Sequence, residues 1–423
     1  MYSSFVGFIN KKFNTDAHYF LHGGFWLTLT QGVVVVSGII TTALLANYLS
    51  PTSYGIYRYL LGLAVIFSSF SLTGLGQSIL QAAAKKYYSF YTETIKINVI
   101  YSLGITISAL VGTLYYWFSN NVTLAVGCLL IAIFQPIINI YQYTPTFLQG
   151  NGRFKESTQI QSTRIIVTSI ITVGVLFLTK NILLLFFAYI TSNAFINAAS
   201  YFWYRQESAD STPEKISKQY LSYAKHISFQ NIISTFGYRI DTLVVFTQLG
   251  SVELAFYTIA TVMPEQIKGS FKNLASLLLP KYAKHDNYDV AIKNVPRRSF
   301  QLLIILSSIT IGYILAAPLF FHILFPKYTD LILYSQIYAL AFPSFIALIP
   351  MSIIQSKLDK KSLSKINNQN VVIGILSVVI LTFYFGLMGT IVSRVVTRYV
   401  NVIYIYVRLT GFTRRKHGAD YIN

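Results

Sequence analysis

Residues 236–246 read FGYRIDTLVVF, so an arginine and an aspartate lie inside an apolar segment that is long enough to cross a bilayer. A charged residue at mid-membrane costs about 2.5 to 3.5 kcal/mol on insertion scales, and it persists mainly where it faces a bundle interior or a hydrated cavity. Arg239 and Asp241 are two residues apart, so they project to nearly opposite sides of a helix. We therefore expect each to find its partner on another helix or on a bound substrate.

The composition predicts an all-α polytopic membrane protein. The 423 residues are 54% hydrophobic and 11% charged, with a mean hydropathy of +0.53, whereas about a quarter of the residues in a soluble domain are charged. Apolar runs close to the roughly 20 residues of a transmembrane helix predict about 12 transmembrane helices, in two six-helix bundles around a central cavity. These runs are residues 24–46, 56–80, 97–117, 122–147, 162–179, 182–204, 227–248, 254–279, 299–321, 331–355, 370–386 and 388–408.

The basic residues predict the orientation of these helices. If the amino terminus is cytoplasmic, most of the 33 Lys and Arg residues lie in cytoplasmic segments, Arg164 among them. The outer connections then hold Arg58, Lys180 and Lys327. This asymmetry satisfies the positive-inside rule with an even number of helices and both termini in the cytoplasm. Topology thus explains most of the net charge of +19, and we expect no nucleic-acid partner.

A polar stretch near the middle of the chain predicts a linker between two halves. At an offset of about 200 residues Leu49 aligns with Leu249 and Tyr57 with Tyr257, which indicates a duplicated six-helix unit with both copies in the same direction. The predicted boundaries are 1–23 for a cytoplasmic or interfacial N-terminal segment, 24–205 for the N-terminal bundle, 206–226 for a cytoplasmic linker, 227–410 for the C-terminal bundle and 411–423 for a basic cytoplasmic tail. We expect this tail to contact anionic membrane lipids.

Two stretches of the first half carry a family resemblance. The first outer turn reads ANYLSPTSYGIY at residues 46–57, and the second helix carries TGLGQS at residues 73–78. Together they resemble the bacterial polysaccharide-precursor flippases, whose superfamily also contains the multidrug and toxin extrusion transporters. The matching positions are Ala46, Leu49, Pro51, Tyr54, Gly55 and Tyr57, and in the second half Asp241, Leu243, Leu249 and Gly250. Asn47 replaces the usual arginine and Ser50 the usual glycine, so we assign no function to the first outer turn.

The intramembrane charges of the second half contain an excess of cations. Glu265 and Lys268 share one face of the eighth helix, where they could pair with each other. Arg394 and Arg398 are four residues apart on the last helix, and two like charges so close call for an anionic partner. The intramembrane residues are five basic and two acidic, namely Arg239, Lys268, Lys272, Arg394 and Arg398 against Asp241 and Glu265. Such a surplus attracts a diphosphate or an acidic sugar, because the guanidinium fork matches phosphate oxygens.

Three amide side chains of the fourth helix share one face. Gln135, Asn139 and Gln142 fall at positions i, i+4 and i+7. They either form hydrogen bonds between helices, as polar residues in membrane bundles do, or line a path for a sugar. The spacing leaves both alternatives open. The only cysteine, Cys128, excludes an internal disulfide, and the histidines show no metal-binding spacing.

The resemblance implies a flippase that moves a polyprenyl-diphosphate-linked oligosaccharide, an O-antigen or capsule repeat unit, across the bacterial cytoplasmic (inner) membrane. The cargo would pass from the inner to the outer leaflet by alternating access. Arg239, Lys268, Arg394 and Arg398 are the expected contacts of the anionic head. Asp241 and Glu265 would tune these cations or bind a coupling ion, H⁺ or Na⁺. We expect no other cofactor, and we expect a polysaccharide polymerase and its chain-length machinery as partners, besides membrane lipids.

Two other functions remain as alternatives. A cation-coupled multidrug exporter of the same superfamily would prefer an acidic cavity and usually carries a carboxylate within the first six helices, which is not predicted here. A membrane-embedded glycan polymerase or ligase generally needs a large outer loop for its catalytic groups, whereas the outer connections predicted here have at most about a dozen residues. We therefore expect a transporter and not an enzyme.

Overall fold

A computed structural model describes the backbone of residues 17–205, 214–283, 294–356 and 360–419, and the side chains of residues 23–205, 217–269, 294–355 and 363–409. These residues form helices joined by short turns, and they contain no strand. Residues 1–16 of the predicted interfacial segment, 206–213 of the predicted linker and the side chains of the predicted basic tail lie outside the described residues. The second part of the predicted linker is helical from Glu214 onward.

The helices follow the apolar runs, and several begin at residues suited to a helix start. The Asn121 side chain accepts a hydrogen bond from the Leu124 amide (3.1 Å), and the Asn181 side chain accepts one from the Leu183 amide (2.9 Å), as N-cap residues do. The helices are α1 (Ala17–Tyr48), α2 (Pro51–Ser68), α3 (Leu75–Ala84), α4 (Ser89–Phe118), α5 (Val122–Tyr141), α6 (Thr144–Gly150), α7 (Phe154–Leu178), α8 (Ile182–Tyr204), α9 (Glu214–Leu249), α10 (Ser251–Ala283), α11 (Val295–Leu324), α12 (Ile332–Ala339), α13 (Leu348–Ser356) and α14 (Lys360–Ala419). Two 3₁₀ helices, Pro326–Leu331 and Phe342–Ala347, flank α12.

Eight segments of the described chain are long and apolar enough to span a membrane. One of them, Leu363–Leu409, lies in α14, whose backbone is not helical at Gly386 (φ 56°, ψ −139°). Hydroxyl pairs Ser377–Thr397 and Thr382–Thr390, each at 2.8 Å, join residues on the two sides of Gly386, so this segment is an antiparallel pair of helices. Three further predicted runs fall on α2–α3, α9 and α10, where breaks or polar residues lower the hydropathy. The all-α polytopic membrane class is confirmed.

The second predicted run is not one helix. Residues 69–74 separate α2 from α3, and the serine hydroxyls of this break turn back onto the helix, with Ser69 donating to the Ile66 carbonyl at 2.6 Å. The Gly74 amide donates to the Ser228 hydroxyl of α9 at 2.9 Å, and a Cβ at Gly74 would lie 2.3 Å from the Ala224 carbonyl oxygen. The glycine therefore permits a close backbone approach. The predicted run 331–355 is likewise divided into α12, a 3₁₀ helix and α13.

The described residues form two compact units. Unit 1 consists of the described parts of Met1–Tyr48 and Leu60–Ile232, and unit 2 of those of Leu49–Tyr59 and Ile233–Asn423. In unit 1, a buried cluster that includes Leu75, Phe90, Phe147 and Tyr220 joins α3, α4, α6 and α9. In unit 2, Val295, Ile353, Ile366 and Ile405 form a core among α11, α13 and α14. The predicted bundle boundaries at 205 and 227 stay predictions.

Unit 2 includes the first two turns of α2. The Tyr59 ring stacks on the Phe246 ring of α9 with centroids 3.7 Å apart and planes 9° from parallel. Gly55 lies against the start of α10, where a Cβ would be 1.8 Å from the Ser251 carbonyl oxygen. The two turns that the sequence relates by an internal repeat, both predicted to lie on the outer side, are thus packed directly against each other, and only glycine fits at position 55.

Candidate functional site

Unit 2 holds five of the seven predicted intramembrane charges in two separate groups. The first, here the Asp241 group, consists of Asp241 of α9, Tyr257 of α10 and Arg394 of α14. The Arg394 guanidinium is 2.9 Å from Asp241 Oδ2, and the Tyr257 hydroxyl donates a hydrogen bond to the same oxygen. Arg394 also donates to the carbonyls of Gly237 (3.3 Å) and Tyr238 (3.1 Å). The Asp241 and Arg394 side chains are each 12% exposed, so this ion pair is largely shielded from solvent. Its two opposite charges cancel, and the group has no net charge.

The second, here the Glu265 group, consists of Glu265 and Lys268 of α10, Tyr338 of α12 and Arg398 of α14. Lys268 Nζ lies 2.8 Å from Glu265 Oε2, and Arg398 Nη2 lies 2.8 Å from Glu265 Oε1. The Tyr338 hydroxyl donates to Glu265 Oε1 and accepts a hydrogen bond from Arg398 Nη2 at 2.9 Å. The Arg398 guanidinium also lies over the Tyr338 ring, 5.0 Å from its centroid. Two cations therefore share one carboxylate.

The Glu265 group differs from the Asp241 group in charge and in accessibility. It carries a net positive charge, because Lys268 and Arg398 outnumber Glu265. The Glu265 side chain is 39% exposed, whereas that of Asp241 is 12% exposed. The Nη1 atom of Arg398 is buried and has no hydrogen-bond partner in the part of the chain that the structure describes. A buried donor of this kind is costly unless something accepts its hydrogen bonds.

The remaining predicted cations lie apart from these groups. Arg239 is exposed and forms no ion pair with any residue described in the structure. The expected lack of a contact between Arg239 and Asp241 agrees with their positions on α9. The side chain of Lys272 lies outside the described residues. Within the described residues there is no group of three or more metal-ligating side chains.

The amides Gln135 and Asn139 of α5 and Gln142, which directly follows α5, are brought together, but in unit 1. The Gln135 amide donates to the Ser68 hydroxyl at 2.9 Å, Asn139 donates to the same hydroxyl at 3.1 Å, and Gln142 donates to Asn139 Oδ1 at 2.9 Å. Asn98 of α4 donates to the Asn139 carbonyl at 2.8 Å, and Asn139 is 3% exposed. The geometry therefore matches the hydrogen-bonding alternative, in which these amides hold α2, α4 and α5 together. A sugar contact stays a prediction.

The sequence did not reveal the tyrosines of the two groups. Tyr257 and Tyr338 are both buried and bind a carboxylate through their hydroxyl. The chain contains 32 tyrosines, most of them in or near apolar runs. A tyrosine at such a position is as typical of the aromatic belt at a membrane interface as of a polar site. The signal that distinguishes these two is a helix-to-helix contact, and no local spacing contains it.

Comparisons with known proteins agree with this architecture. A family model described as "Polysaccharide biosynthesis protein" matches residues 44–333. Similar solved structures include an outward-facing multidrug resistance MATE family transporter of the MOP superfamily (14% identity, TM-score 0.62, covering 91% of this chain and 96% of that one). The inward closed conformation of the lipid II flippase MurJ is also similar (12% identity, TM-score 0.61, covering 92% and 87%).

A third similar structure is a MOP superfamily transporter from Pyrococcus furiosus with a reverse polarity of its binding pocket (11% identity, TM-score 0.58, covering 93% of this chain and 96% of that one). No curated protein matches the sequence. At these identities the structural likeness shows the fold alone. That fold is the multi-pass, two-bundle architecture of the MOP superfamily.

Proposed function

Because this chain belongs to the polysaccharide biosynthesis protein family, we propose that it is a flippase for a polyprenyl-diphosphate-linked oligosaccharide, an O-antigen or capsule repeat unit. The cargo moves from the inner to the outer leaflet of the bacterial cytoplasmic membrane by alternating access. Both termini are then cytoplasmic, and a polysaccharide polymerase with its chain-length machinery receives the product. The MOP-superfamily transporter fold supports a transport role, and one protein with this fold is a flippase of lipid II.

The observation that carries the proposal is the composition of the Glu265 group. It has two cations for one carboxylate, and Arg398 Nη1 lacks a hydrogen-bond acceptor among the described residues. A diphosphate offers several charged oxygens, and a guanidinium can bind two of them at once. We assign Arg398 and Lys268 to the anionic head of the cargo. Glu265, the more exposed of the two carboxylates, is our candidate for the coupling H⁺ or Na⁺.

The other predicted site residues receive different proposed roles. Arg394 donates to Asp241 and to two backbone carbonyls of α9, so few of its donors remain for a cargo. We propose that Arg394 and Asp241 are positioning residues, which fix α14 on α9 and thereby set the place of Arg398 one turn away. Arg239 is exposed, and we propose that it attracts the anionic head without binding it tightly.

Transport by the purified protein in liposomes tests this proposal. With a fluorescent polyprenyl-diphosphate oligosaccharide, we expect Arg398→Gln to slow flipping at least tenfold, because a hydrogen bond to a charged group contributes about 1.5 to 3 kcal/mol. Arg297→Gln is the matched control, since Arg297 is an exposed arginine near the start of α11. Equal flipping by both variants, at equal amounts of folded protein, would contradict the role of Arg398.

A cation-coupled multidrug exporter is the second candidate, because several similar structures are MATE transporters. In unit 2, however, the two intramembrane carboxylates already pair with arginines, and a cationic drug would have to displace them. The same liposomes loaded with a cationic dye distinguish the two functions. Dye transport without movement of the lipid-linked glycan would favour the exporter. The similar structures named above are transporters, which weighs against a glycan polymerase or ligase.

A further inference from the structure

The cations of the Glu265 group are already bound to its carboxylate. Lys268 Nζ contacts both oxygens of Glu265, at 2.9 Å and 2.8 Å. Arg398 Nη2 donates to Glu265 Oε1 at 2.8 Å and to the Tyr338 hydroxyl at 2.9 Å. Glu265 therefore occupies donors on both of the cations that we assign to the anionic head of the cargo. Arg398 Nη1 has no acceptor among the described residues.

A phosphate that binds Arg398 through two oxygens competes with Glu265 for Nη2. A guanidinium donates in pairs, from Nη1 together with Nη2 or from Nε together with Nη2, so both pairs include Nη2. That nitrogen is the one that Glu265 and Tyr338 hold. Two negative groups beside one guanidinium also repel each other, and this repulsion disfavours the charged form of the carboxylate. Glu265 is thus a competitor of the cargo as long as it is charged.

A proton on Glu265 removes this competition. The protonated carboxyl is neutral, so it no longer holds Lys268 and Arg398 as an ion-pair partner and no longer repels a phosphate. Protons can reach it, because the Glu265 side chain is 39% exposed. A metal ion at the same carboxylate would lie beside two cations, which repel it. The proton is therefore the ion that fits this position.

The groups that face Glu265 in the described part of unit 2 come from three helices. They are Lys268 on α10 itself, Tyr338 on α12 and Arg398 on α14. Tyr334, one turn before Tyr338 on α12, stays neutral near pH 7, as does Tyr338. The side chain of Lys272, two turns further along α10, lies outside the described residues. Glu265 is thus the carboxylate of this group whose protonation changes the charge that a cargo meets.

The other titratable groups on the surrounding elements lie elsewhere. Arg394 and Tyr257 both bind Asp241. Neither α13 nor the 3₁₀ helix Phe342–Ala347 contains a charged or titratable residue. The remaining groups cluster near the start of α10, where the Phe256 and Tyr328 rings are in contact (centroids 6.1 Å apart), about 14 Å along the helix from Glu265. They are Arg58, Glu253, Lys327, Tyr328 and Asp330.

We propose that the anionic head of the cargo and one proton bind to the Glu265 group together, and not in exchange for each other. Arg398 and Lys268 pass from the Glu265 carboxylate to the phosphate oxygens, and a carboxylate oxygen of Glu265 takes up a proton from solvent. By linkage, the proton strengthens cargo binding by the same factor by which the cargo strengthens proton binding. This inference rests on the proposed function, and it adds the sign of the coupling.

Proton uptake on binding tests this sign. The purified full chain in an uncharged detergent is titrated with inorganic pyrophosphate by calorimetry, at about pH 6, in two buffers that differ in ionisation enthalpy. The two heats give the number of protons taken up per bound ligand. We expect the wild-type protein to take up at least about a third of a proton more than Glu265→Gln, which has no carboxyl to protonate. Comparing the two proteins cancels protons that pyrophosphate itself gains or loses.

Affinity provides a second measurement in the same titrations. Glu265→Gln resembles the protonated acid, so it should bind pyrophosphate at least about fivefold tighter than the wild-type protein, at the low end of typical couplings. Glu253→Gln is the matched control, because Glu253 is a carboxylate in the first turn of the same helix. It should behave like the wild-type protein. Weaker binding by Glu265→Gln, or equal proton uptake by Glu265→Gln and the wild-type protein, would overturn the inference.

A second pair of variants covers a failure of Glu265→Gln to fold. Lys268→Gln keeps the carboxylate, and the double variant Lys268→Gln/Glu265→Gln removes it without adding a surplus cation. Lys268→Gln should take up more protons than the double variant, and equal uptake would overturn the inference.

Polyprenyl diphosphate separates this inference from the proposed function. A wild-type protein that takes up the extra proton with pyrophosphate, but neither binds nor flips a polyprenyl-diphosphate-linked glycan, would contradict the proposed function and support the coupling. Flipping without the extra proton uptake would support the function and overturn the coupling. A wild-type protein that binds neither ligand would overturn both.

Discussion

At the scale of single residues, two tyrosine hydroxyls complete the hydrogen bonding of the intramembrane carboxylates. Tyr257 donates to Asp241 and Tyr338 donates to Glu265. A carboxylate away from water needs several donors to stay charged, and a neutral phenol supplies one without adding a further charge. A tyrosine hydroxyl therefore donates to the carboxylate both in the buried Asp241 group, which contains Arg394, and in the more exposed Glu265 group, which contains Arg398. What differs between the two is the number of cations around each acid.

The buried pair of Asp241 and Arg394 makes a prediction about stability. Asp241→Asn should markedly destabilise the protein, because removing one partner of a buried ion pair costs about 3 to 5 kcal/mol. The double variant Asp241→Asn/Arg394→Gln should recover part of this loss, since it removes the uncompensated guanidinium as well. The apparent melting temperature of the purified protein measures both effects. Melting temperatures that fall additively in the double variant would show that the two residues do not depend on each other.

The sequence could predict which residues carry charge into the membrane, but it could not pair them. The spacing of Arg239 and Asp241 correctly excludes a mutual contact. The four-residue spacing of Arg394 and Arg398 correctly places them on one helix face, and yet they bind different carboxylates on different helices. Partners on other helices depend on packing, and a period of 3.6 residues contains no information about packing.

At the scale of elements, the reversal in α14 brings its two halves side by side. Gly386 has φ 56° and ψ −139°, a conformation that is essentially restricted to glycine. Small residues then allow the helices to approach closely, as Thr382 and Thr390 do through their hydroxyls. The sequence predicted a boundary at this point, between the runs 370–386 and 388–408. It did not predict the break at residues 69–74, because that break is stabilised by contacts with α9.

Gly386→Ala tests the reversal. A non-glycine residue in this conformation costs about 1 to 3 kcal/mol, so we expect a clearly lower melting temperature for this variant. Gly312→Ala is the matched control, because Gly312 lies inside α11 and a Cβ there would meet nothing within 4 Å. Alanine at a helical position should be neutral or stabilising. Equal melting temperatures for the two variants would mean that the strain at position 386 is relieved elsewhere.

At the scale of the whole molecule, hydropathy predicted the fold class, and two sequence motifs carried the resemblance to the family. Apolar runs predicted about 12 membrane segments, and the described chain has eight segments that are long and apolar enough to span a membrane, one of which is a helix pair. The motifs at residues 46–57 and 73–78 indicated the superfamily. The apolar runs did not predict the helix breaks within residues 56–80 and 331–355. An average of hydropathy over a run cannot distinguish a continuous helix from two shorter ones. The unit that holds Leu49–Tyr59 could not be predicted either, because it depends on contacts with residues about 200 positions later.

The predicted orientation can be tested with single cysteines. Cys128 is the only cysteine and is buried, so Cys128→Ala provides a background without thiols. Lys180→Cys and Lys85→Cys then place one exposed thiol at each predicted side of the membrane. A membrane-impermeant maleimide added to intact cells should label Lys180→Cys and spare Lys85→Cys, and open cells should allow both to react. The opposite labelling pattern would reverse the topology.

The contact between Gly55 and Ser251 has a consequence for the order of synthesis. The second of these residues is made about 200 positions after the first, which takes a ribosome about 10 to 40 s at 5 to 20 residues per second. During that interval the first two turns of α2 have been synthesised, while the surface of α10 that will cover them does not yet exist. The nascent first half must keep this segment available until α10 is in place. Unit 2 can therefore complete its fold only after its later helices pack onto residues 49–59, which are synthesised first.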